Sequence, residues 1–451
     1  MQATQLFKKV THEALRRQLQ SPYFQSSEIQ FLKSLSLKMG VLVFYYADRG
    51  SFSLGVALVD KHSGLVLWVK SEPLWRTNEK IKSLSISKLR QKIKFDFALA
   101  DEQHAIYFPM QALLTDLQKQ SILKKPIQNP ILEPNPQNSW ESVSVFNPAV
   151  LWLEDKVHFV YRAIGCGGQS VLGYAASKDG IHIDERLNTP IFPVVDLHVH
   201  KHSAQKSLYT SGGNCCGCED PRLVKIDDTI YMTYTAFDGH HAPGMHLTSI
   251  SVQDFLDHNW RWSVPVRLSA QGEVHKNWVI FPKLLQDQYA ILHSITPTIQ
   301  VDYFDSLDFN QAPQIKSYYA AQNREQAWDS WVRGVGPVPL PVEGGWLVLY
   351  HAMDHSDPNR YKLGGMILDQ DDPTKILYRA TMPLLEPNEP YENEGLKSGV
   401  LYSCGAVIKD GQLLVYYGGA DTVICMAFAD LDCVLHHIKQ GTQEVATDVN
   451  S

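Results

Sequence analysis

The stretch FNPAVLWLEDKVHFVYRA, residues 146–163, contains two apolar segments separated by the polar turn Glu-Asp-Lys. Its pattern returns four times, in EDPRLVKIDDTIYMTYTA (219–236), KNWVIFPKLLQDQYAILHS (276–294), GPVPLPVEGGWLVLYHA (336–352) and CGAVIKDGQLLVYYGGAD (404–421). The apolar segments are rich in Val, Ile, Leu and Tyr, which favour strands. The short polar turns tolerate tight hairpin geometry. The sequence therefore predicts a β-hairpin at each of the five places.

Further strand-like segments lie between the copies, such as VLGYAASKDGIHI (171–183) and YKLGGMILD (361–369). Each repeat thus supplies about four strands over roughly 60 to 70 residues, and such a period is typical of repeat architectures. Radial repetition of four-stranded sheets leaves only short, protected strand edges. We therefore expect an all-β fold, with a five-bladed β-propeller as the domain at 126–451. A β-sandwich with coincidental hairpins is the alternative, and it explains the regular spacing less well.

Residues 1–125 differ from the repeats and are predicted to form an α/β accessory region. Residues 1–39 mix charged and apolar residues at helical spacing, in HEALRRQLQ and IQFLKSLSLK, and predict helix. Residues 41–75 then resemble residues 346–385 in outline and predict blade-like hairpins. This region either caps the propeller or forms the interface of a homo-oligomer. The proline-rich segment PIQNPILEPNPQN (126–138) is predicted to be the linker.

The composition excludes several classes of protein. Of 451 residues, 44% are hydrophobic and 20% are charged, which is typical of a globular chain. The net charge of −7 argues against a nucleic-acid partner. No segment approaches the roughly 20 apolar residues of a membrane span, so no membrane partner is expected. The polar segment MQATQLFKKVTHEALRRQLQ at residues 1–20 lacks the apolar core of an export signal. The seven cysteines, an odd number, fit reduced thiols in a reducing compartment. We therefore expect a cytoplasmic protein.

Polar residues cluster near the starts of the repeats, and equivalent positions of successive propeller blades converge on the central channel. The residues expected to line one pocket are Asn147, Glu219, Asp220, Arg222, His275, Lys276, Asn277, Arg333, Tyr361 and Asp421, and His351 in the fourth copy is added as a substrate-binding residue. The cluster that most strongly indicates a functional site is Glu219-Asp220-Pro221-Arg222, because adjacent carboxylates repel each other and make a poor purely structural element. The alternative interpretation of this cluster is purely structural: Glu219 and Arg222 form a salt bridge within a turn. Glycosidic bond cleavage needs a carboxylic acid beside the leaving oxygen, and Asp220 is the predicted catalytic residue.

A metal site is the competing interpretation for a different segment. Residues 196–202 (DLHVHKH) carry His198, His200 and His202, and Cys215, Cys216 and Cys218 follow. The cysteine spacing fits no standard zinc pair, and no further ligands are identifiable. We expect no metal and no cofactor, and a metal-dependent hydrolase remains the alternative that zinc analysis would test.

From about residue 129 onward the chain resembles glycoside hydrolase family 130, the β-mannoside phosphorylases and β-mannosidases. The matching stretches occur in the family's order and include FNPAV, YRA, GCEDPRL, YMTYTAFDG, HKNWVIFPK, RGVGPVP, WLVLYHAMD, DPTKILYRATMPLLEP and YYGGADTV. The resemblance implies a five-bladed propeller. It also implies that Asp220 is the catalytic acid, whose proton reaches the glycosidic oxygen through a sugar hydroxyl. Arg162 and Asp421 match further family positions, and Lys276 with Asn277 matches a pair that touches phosphate.

Two departures from the family concern the attacking group. Ser294 stands where phosphorylases commonly carry Arg, and Pro341 stands where many carry Lys. Both remove positive charge, so we expect water to attack in an inverting cleavage of a terminal β-mannosidic bond in an oligosaccharide. Phosphorolysis to mannose 1-phosphate, with inorganic phosphate as co-substrate, is the alternative, and a non-catalytic sugar-binding propeller is a third. Asp421 and Glu273 are weak candidates for the base that water would need.

Overall fold

In the computed structural model of the chain, strands make up nearly all the regular structure of the described residues. The structure describes residues 29–440, except 38–39, 49–50, 60–65, 71, 90–91, 100–101, 111, 113–120, 193–208, 210, 214, 310–313 and 320–326. The chain divides into two compact units, Met1–Ile122 and Leu123–Ser451. None of the described helices is long and apolar enough to cross a membrane.

The N-terminal unit contains two antiparallel sheets. Its strands are β1 (Gln30–Leu37), β2 (Gly40–Asp48), β3 (Phe52–Val59), β4 (Val66–Val69), β5 (Trp75–Thr77), β6 (Ile81–Leu89), β7 (Lys92–Leu99) and β8 (Glu102–Pro109). The first sheet has the order β1-β2-β3-β4, with β5 paired to β3, and the second has the order β6-β7-β8. Leu42, Phe44 and Leu54 of the first sheet share a core with Ile93 and Phe95 of the second. The hairpins predicted for residues 41–75 are confirmed as strands.

The helix predicted over residues 1–39 is wrong where the structure describes it. Residues 1–28 lie outside the described part of the chain, and Gln30–Leu37 is a strand whose residues pair with β2, from Gln30 opposite Tyr46 to Leu37 opposite Gly40. The sequence Leu-Ser-Leu at 35–37 alternates apolar and polar residues, which is the period of a strand. Pairing along β2 decides the outcome, because it satisfies the backbone groups at that strand's edge.

The C-terminal unit holds nineteen described strands and three short helices. The strands are β9 (Ser144–Leu153), β10 (Lys156–Ile164), β11 (Gln169–Ser177), β12 (Glu185–Arg186), β13 (Cys216–Ile226), β14 (Thr229–Phe237), β15 (Gly244–Ser251), β16 (Val266–Arg267), β17 (Val279–Ile280), β18 (Tyr289–Ser294), β19 (Gln300–Phe304), β20 (Trp331–Val335), β21 (Leu340–Val342), β22 (Gly345–Asp354), β23 (Asp357–Leu368), β24 (Ile376–Arg379), β25 (Leu401–Lys409), β26 (Gln412–Gly419) and β27 (Val423–Asp430). The helices are α1 (Val252–Leu256), α2 (Pro390–Asn393) and α3 (Leu431–Lys439).

These strands form five antiparallel groups in chain order. The first group, β9–β12, and the second, β13–β16, are joined into one sheet by a short parallel pairing of β11 with β13. The third group is β17–β19, the fourth is β20–β24, and the fifth is β25–β27. Each of the five hairpins predicted from the repeats is confirmed as an antiparallel pair: β9 with β10, β13 with β14, β17 with β18, β21 with β22, and β25 with β26.

The hairpin turns share one backbone feature. Asp155, Asp227, Asp287, Gly344 and Asp410 have φ values of 57°, 50°, 63°, 82° and 50°. Hairpin turns of the primed types need this left-handed conformation, which aspartate and glycine adopt at low cost. The turn residues of the five copies therefore fit the geometry that their strands require.

The segment predicted as a linker is hydrogen-bonded to the last sheet. Leu132 pairs with Ile424 of β27. The side-chain amide of Asn129 donates to the carbonyl of Met426 at 2.8 Å and accepts from its N–H at 2.9 Å. The prolines of this segment remove backbone donors, and the Asn129 side chain supplies both a donor and an acceptor instead. The start of this unit is thereby bound to its last strand.

Candidate active site

A cavity of about 460 Å³ in the C-terminal unit brings together residues that are distant in sequence. Nine of the twelve predicted site residues line it: Asn147, Arg162, Asp220, His275, Lys276, Asn277, Arg333, Tyr361 and Asp421. They come from all five strand groups or from the loops beside them. The other three, Glu219, Arg222 and His351, are fully buried and do not line the cavity.

Asp220 is held on the cavity wall by a distorted strand. The pairing of β13 with β14 shifts register between Glu219 and Arg222, and Asp220 has a φ of 48°. Asn147 on β9 has a φ of 49° and donates to Asp220 Oδ1 at 2.8 Å. Arg162 on β10 donates to the same oxygen at 2.9 Å. Strand bulges re-aim side chains, and here they point an amide and a carboxylate at each other beside the cavity.

The surrounding charges control the ionisation of Asp220. Burial acts to raise the pKa of this carboxyl, but Arg162, Lys276 and Arg222 together with the Asn147 hydrogen bond outweigh it and lower the pKa to about 2. With the protein charges alone, Asp220 is therefore a carboxylate at neutral pH. An acid role requires that bound substrate or phosphate raise its pKa.

Glu219 fixes two cations from behind the cavity wall. Its Oε2 accepts from Ser211 Oγ at 2.6 Å and from Lys276 Nζ at 3.0 Å. Arg162 lies 3.7 Å from the same oxygen, and Lys276 also donates to Ser211 at 2.5 Å. Because Glu219 is fully buried, we assign it a positioning role, which corrects the prediction that it binds substrate directly.

Arg222 does not form the predicted alternative, a turn salt bridge with Glu219. Its guanidinium donates to the carbonyl of Gly336 at 2.9 Å, to that of Asp220 at 2.8 Å and to Asn277 Oδ1 at 2.9 Å. These acceptors belong to different strand groups and loops. Arg222 therefore cross-links the cavity wall, and it does not line the cavity as a direct contact with substrate would require.

His351 also lies behind the wall, contrary to its predicted role in binding substrate. Its Nε2 accepts from the N–H of Ser403 at 2.8 Å, and its ring stacks on Tyr402 at 4.0 Å. Burial, assisted by the charge of Arg222, lowers its pKa to about 3, so the ring is neutral. Tyr402 lines the cavity and donates to Asn277 Oδ1. His351 thus orients Tyr402.

Sequence reasoning missed Tyr402 and Lys397, which both line the cavity. Tyr402 lies two residues before the fifth repeat as quoted, so the same register argument could have found it. Lys397 lies in the polar stretch NEGLKSG, which no repeat aligns. Its Nζ is 4.6 Å from the centroid of the Tyr361 ring. Nothing in the sequence distinguishes this lysine from an ordinary surface residue.

The environment of Asp421 shifts its pKa in the opposite direction from that of Asp220. Burial raises its pKa to about 6, although Lys397 and Arg162 act to lower it. This carboxyl exchanges its proton just below neutral pH. The other candidate base, Glu273, has a side chain that is 65% exposed, and its Oε2 accepts from His275 Nε2 at 3.0 Å. Asp421 is the better placed of the two.

The two departures from the family pattern have different outcomes. Ser294 lines the cavity, and its hydroxyl donates to the carbonyl of Thr296 at 2.9 Å. Pro341 is exposed on β21 opposite Trp346 and does not line the cavity, so the charge inferred to be lost there is irrelevant.

The lining residues carry an excess of positive charge. The cations are Arg162, Lys276, Arg333 and Lys397, and the carboxylates are Asp220 and Asp421, which leaves two positive charges when both are ionised. The pKa values of His275 and His293 are lowered, chiefly by burial, so these rings add no charge at neutral pH. Lys397 is a cation that the charge count from the sequence did not include.

The competing metal site lies partly outside the described residues, which exclude His198, His200 and His202. Cys215, Cys216 and Cys218 are free thiols, with 3.5 Å between the sulfurs of the first two. Within the described ranges, no group of three or more histidine, cysteine or acidic residues could hold a metal ion.

Comparison with known proteins covers the C-terminal unit. Residues 123–440 match the profile of a glycoside hydrolase family 130 described as β-1,4-mannooligosaccharide phosphorylase. A 1,2-β-oligomannan phosphorylase from Thermoanaerobacter sp. strain X514 is 34% identical over 68% of this chain and 97% of its own length.

Solved structures show the same fold. The β-1,2-mannobiose phosphorylase from Listeria innocua, solved with β-1,2-mannobiose, has a TM-score of 0.55 and 21% identity over 70% of this chain and 99% of its own. Another structure, described with glycoside hydrolases of this family that target β-1,2 mannosidic linkages in Candida mannan, has a TM-score of 0.54 and 24% identity over 68% of this chain and 93% of its own.

Proposed function

Since the chain belongs to glycoside hydrolase family 130, we propose that it cleaves a terminal β-mannosidic bond by phosphorolysis and releases mannose 1-phosphate with inversion. The observation that carries this proposal is the combination of a buried carboxyl, Asp220, with four cationic side chains on the same cavity wall, which outnumber the carboxylates Asp220, Asp421 and Glu219. The carboxyl supplies the acid, and the excess charge suits a phosphate dianion.

We further propose that the C-terminal unit is a five-bladed β-propeller. The five antiparallel groups would be its blades, and the cavity would be the mouth of its central channel. The contacts of Asn129 and Leu132 with β27 support closure, because they bind the beginning of the unit to its last blade. The Listeria structure supports the same fold.

In the proposed mechanism, Asp220 donates a proton to the glycosidic oxygen through a hydroxyl of the bound sugar, as the family resemblance implies. The bond from C1 to the leaving sugar breaks with its electron pair on that oxygen. A phosphate oxygen attacks C1 from the opposite face and forms the new bond. Asn147 and Arg162, which both donate to Asp220 Oδ1, hold the carboxyl so that its other oxygen faces the ligand. Such positioning is a large part of catalysis.

The bound phosphate helps Asp220 to act as an acid. Lys276 and Arg162 lower the pKa of Asp220 in the protein alone. A dianion that pairs with these cations compensates their charge and adds its own negative field, so it raises the pKa of the carboxyl. Phosphate binding and protonation of Asp220 therefore support each other.

The linkage is proposed to be β-1,2. The relative that is 34% identical over 97% of its own length is named a 1,2-β-oligomannan phosphorylase. The family description names β-1,4-mannooligosaccharides instead. Both linkages therefore belong in the first assay.

Hydrolysis, the reaction expected from the sequence, is the second candidate, and two observations favour it. Ser294 offers a neutral hydroxyl where phosphorylases commonly carry a cation. Asp421 also has its pKa raised to about 6 by burial, which suits a general base near neutral pH. In an inverting hydrolase such a base activates the attacking water.

Product analysis decides between these reactions. Purified protein is incubated with β-1,2-mannobiose or β-1,4-mannobiose, with and without inorganic phosphate. We expect mannose 1-phosphate, formed at a rate that rises and saturates with phosphate. Free mannose at a rate independent of phosphate would establish hydrolysis instead. Binding of mannobiose without turnover under any condition would establish a sugar-binding module. The cytoplasmic location and a homo-oligomer formed through the N-terminal unit stay predictions.

A further inference from the structure

Two adjacent cysteines stand where the strand that carries Asp220 begins. Cys215 is exposed, and Cys216, the first residue of β13, is buried. Their sulfur atoms are 3.5 Å apart. Burial, with the hydrogen bond to Cys215, raises the pKa of Cys216 to about 12, so this thiol stays protonated at neutral pH. The pair therefore combines an accessible sulfur with a shielded one that is in contact with it.

The backbone of the pair is fixed on the side of the neighbouring strand. The N–H of Cys215 donates to the carbonyl of Gly168 at 2.8 Å, and Cys216 pairs with Gln169 of β11. The chain before the pair is less confined, because a Cβ added at Gly213 would meet no atom within 4 Å. We therefore expect a change in the geometry of the pair to move the preceding segment rather than β13.

That preceding segment, residues 211–213, holds charged side chains of the active site. Ser211 Oγ donates to Glu219 Oε2 at 2.6 Å and accepts from Lys276 Nζ at 2.5 Å. The carbonyl of Gly212 accepts from Arg162 at 3.1 Å. A movement of this segment therefore misplaces the two cations that flank the catalytic carboxyl. Displacements of about 1 Å in an active site can lower turnover by about a hundredfold.

We propose that Cys215 and Cys216 are a modification site, at which a hydroperoxide joins the two sulfurs in a disulfide and thereby slows turnover. The sulfur of Cys215 attacks one oxygen of the hydroperoxide, the O–O bond breaks, and the departing oxygen takes the thiol proton, which leaves a sulfenic acid. The sulfur of Cys216 then attacks that of Cys215, and the sulfenic hydroxyl leaves with the Cys216 proton as water. The two electrons lost by the thiols reduce the hydroperoxide to an alcohol, or hydrogen peroxide to water.

A disulfide between neighbours is expected to be easy to reduce. Adjacent Cα atoms are about 3.8 Å apart across a trans peptide bond, whereas bridged cysteines usually have Cα atoms about 4.4–6.8 Å apart. The sulfurs must also approach from 3.5 Å to about 2.0 Å, and the backbone around them must give way. Strained and exposed disulfides are the labile, regulatory ones, so a dithiol reductant should restore both thiols.

The test treats the full chain with hydrogen peroxide and compares the wild type with Cys215→Ser and Cys166→Ser. Cys166 is the matched control, because it is also exposed and its sulfur also faces a backbone carbonyl, that of Ser139 at 3.9 Å. Turnover of β-mannobiose is measured together with the mass of the tryptic peptide 207–222, which contains the pair. In the wild type we expect this peptide to lose two hydrogen atoms and turnover to fall about tenfold, both reversed by dithiothreitol. Cys166→Ser should respond like the wild type, whereas Cys215→Ser should keep its turnover in peroxide.

Three outcomes overturn the proposal. An unchanged peptide mass in the wild type shows that no disulfide forms. A disulfide that leaves turnover unchanged shows that the pair is not coupled to the active site. An equal loss of turnover in Cys215→Ser places the damage elsewhere, and Cys216→Ala, which also cannot form the bond, checks that result independently.

The inference does not depend on whether phosphate or water attacks the sugar. If the wild type turns over no mannoside, the proposed function fails. The peptide mass still decides whether the disulfide forms, and calorimetry with β-mannobiose, before and after peroxide, then reports whether the bond disturbs the sugar site.

Discussion

Replacing the carboxyl of Asp220 by an amide is the sharpest test of the site. Asp220→Asn keeps the shape of the side chain and tolerates the φ of 48°, because asparagine adopts left-handed conformations readily. Its Oδ1 can still accept from Asn147 and Arg162, whose distances are 2.8 and 2.9 Å. The substitution therefore removes the charge and the exchangeable proton with little change in geometry.

The two consequences have different sizes. General acid catalysis contributes on the order of 10²–10⁴-fold, so we expect turnover of β-mannobiose to fall by that factor. The pKa of Asp220 is lowered from 3.8 to about 2, which corresponds to about 2 kcal/mol of stabilisation of the ionised form. We therefore expect the free energy of unfolding at pH 7 to fall by about 2 kcal/mol. Arg162 keeps a carboxylate neighbour in the variant, because Glu219 remains 3.7 Å away.

The assay is the initial rate of product formation, with sugar affinity measured by calorimetry and stability by urea unfolding. The matched control is Asp410→Asn, which makes the same change at a left-handed turn residue with a φ of 50° and a side chain that is 86% exposed. The control should keep wild-type turnover. If Asp220→Asn turns over within about threefold of the wild type, Asp220 is not the acid and the assignment fails.

Three further outcomes are expected. Arg222→Met leaves the buried carbonyl of Gly336 without its Arg222 donor and removes the cation nearest to the carbonyl of Asp220, so the free energy of unfolding should fall by about 3–5 kcal/mol in urea titration; a loss below about 1 kcal/mol would contradict the cross-linking role. The pKa of Asp421 is raised from 3.8 to about 6, so its protonated form favours folding; this contribution is complete below pH 4 and is lost as pH rises to about 6. Asp421→Asn should remove that loss, about 3 kcal/mol, from the pH dependence of unfolding, and an unchanged pH profile would refute it. Gly212→Ala would place a Cβ 2.5 Å from a guanidinium nitrogen of Arg162 at a φ of 47°, so turnover should fall about tenfold, and wild-type kinetics would show that this loop can shift freely.

The sequence predicted the repeating part of the fold because each hairpin carries its own signal. Turns such as Asp-Asp-Thr at 227–229 and Lys-Asp-Gly at 409–411 place residues tolerant of positive φ between apolar segments. The strand β1 was mistaken for helix because its charged and apolar residues fit either period. Only the pairing with β2, which lies outside the segment itself, settles the choice.

The site was predictable where it follows the repeat and not elsewhere. Asp220 and Asn277 stand at the starts of repeats, and both line the cavity. Lys397 comes from a loop with no repeat register, so only the folded chain shows it beside Tyr361. Pro341 was counted as part of the site because many family members carry Lys at that position, but Pro341 is exposed and does not line the cavity. The charge count from sequence failed on these two residues.

The two cavity carboxyls raise one question about mechanism. Groups whose pKa values are driven apart usually divide the acid and base roles, and by that rule Asp421, at about 6, would be the acid and Asp220, at about 2, the base. The protein's own cations cause this order, since Arg162 and Lys276 are the largest charges that lower the pKa of Asp220. A phosphate dianion compensates the same cations and shifts Asp220 towards protonation, whereas water does not. Comparing turnover of Asp220→Asn and Asp421→Asn therefore bears on the attacking group as well as on the acid. A loss confined to Asp220→Asn fits phosphorolysis, and equal losses in both variants fit an acid and base pair that activates water.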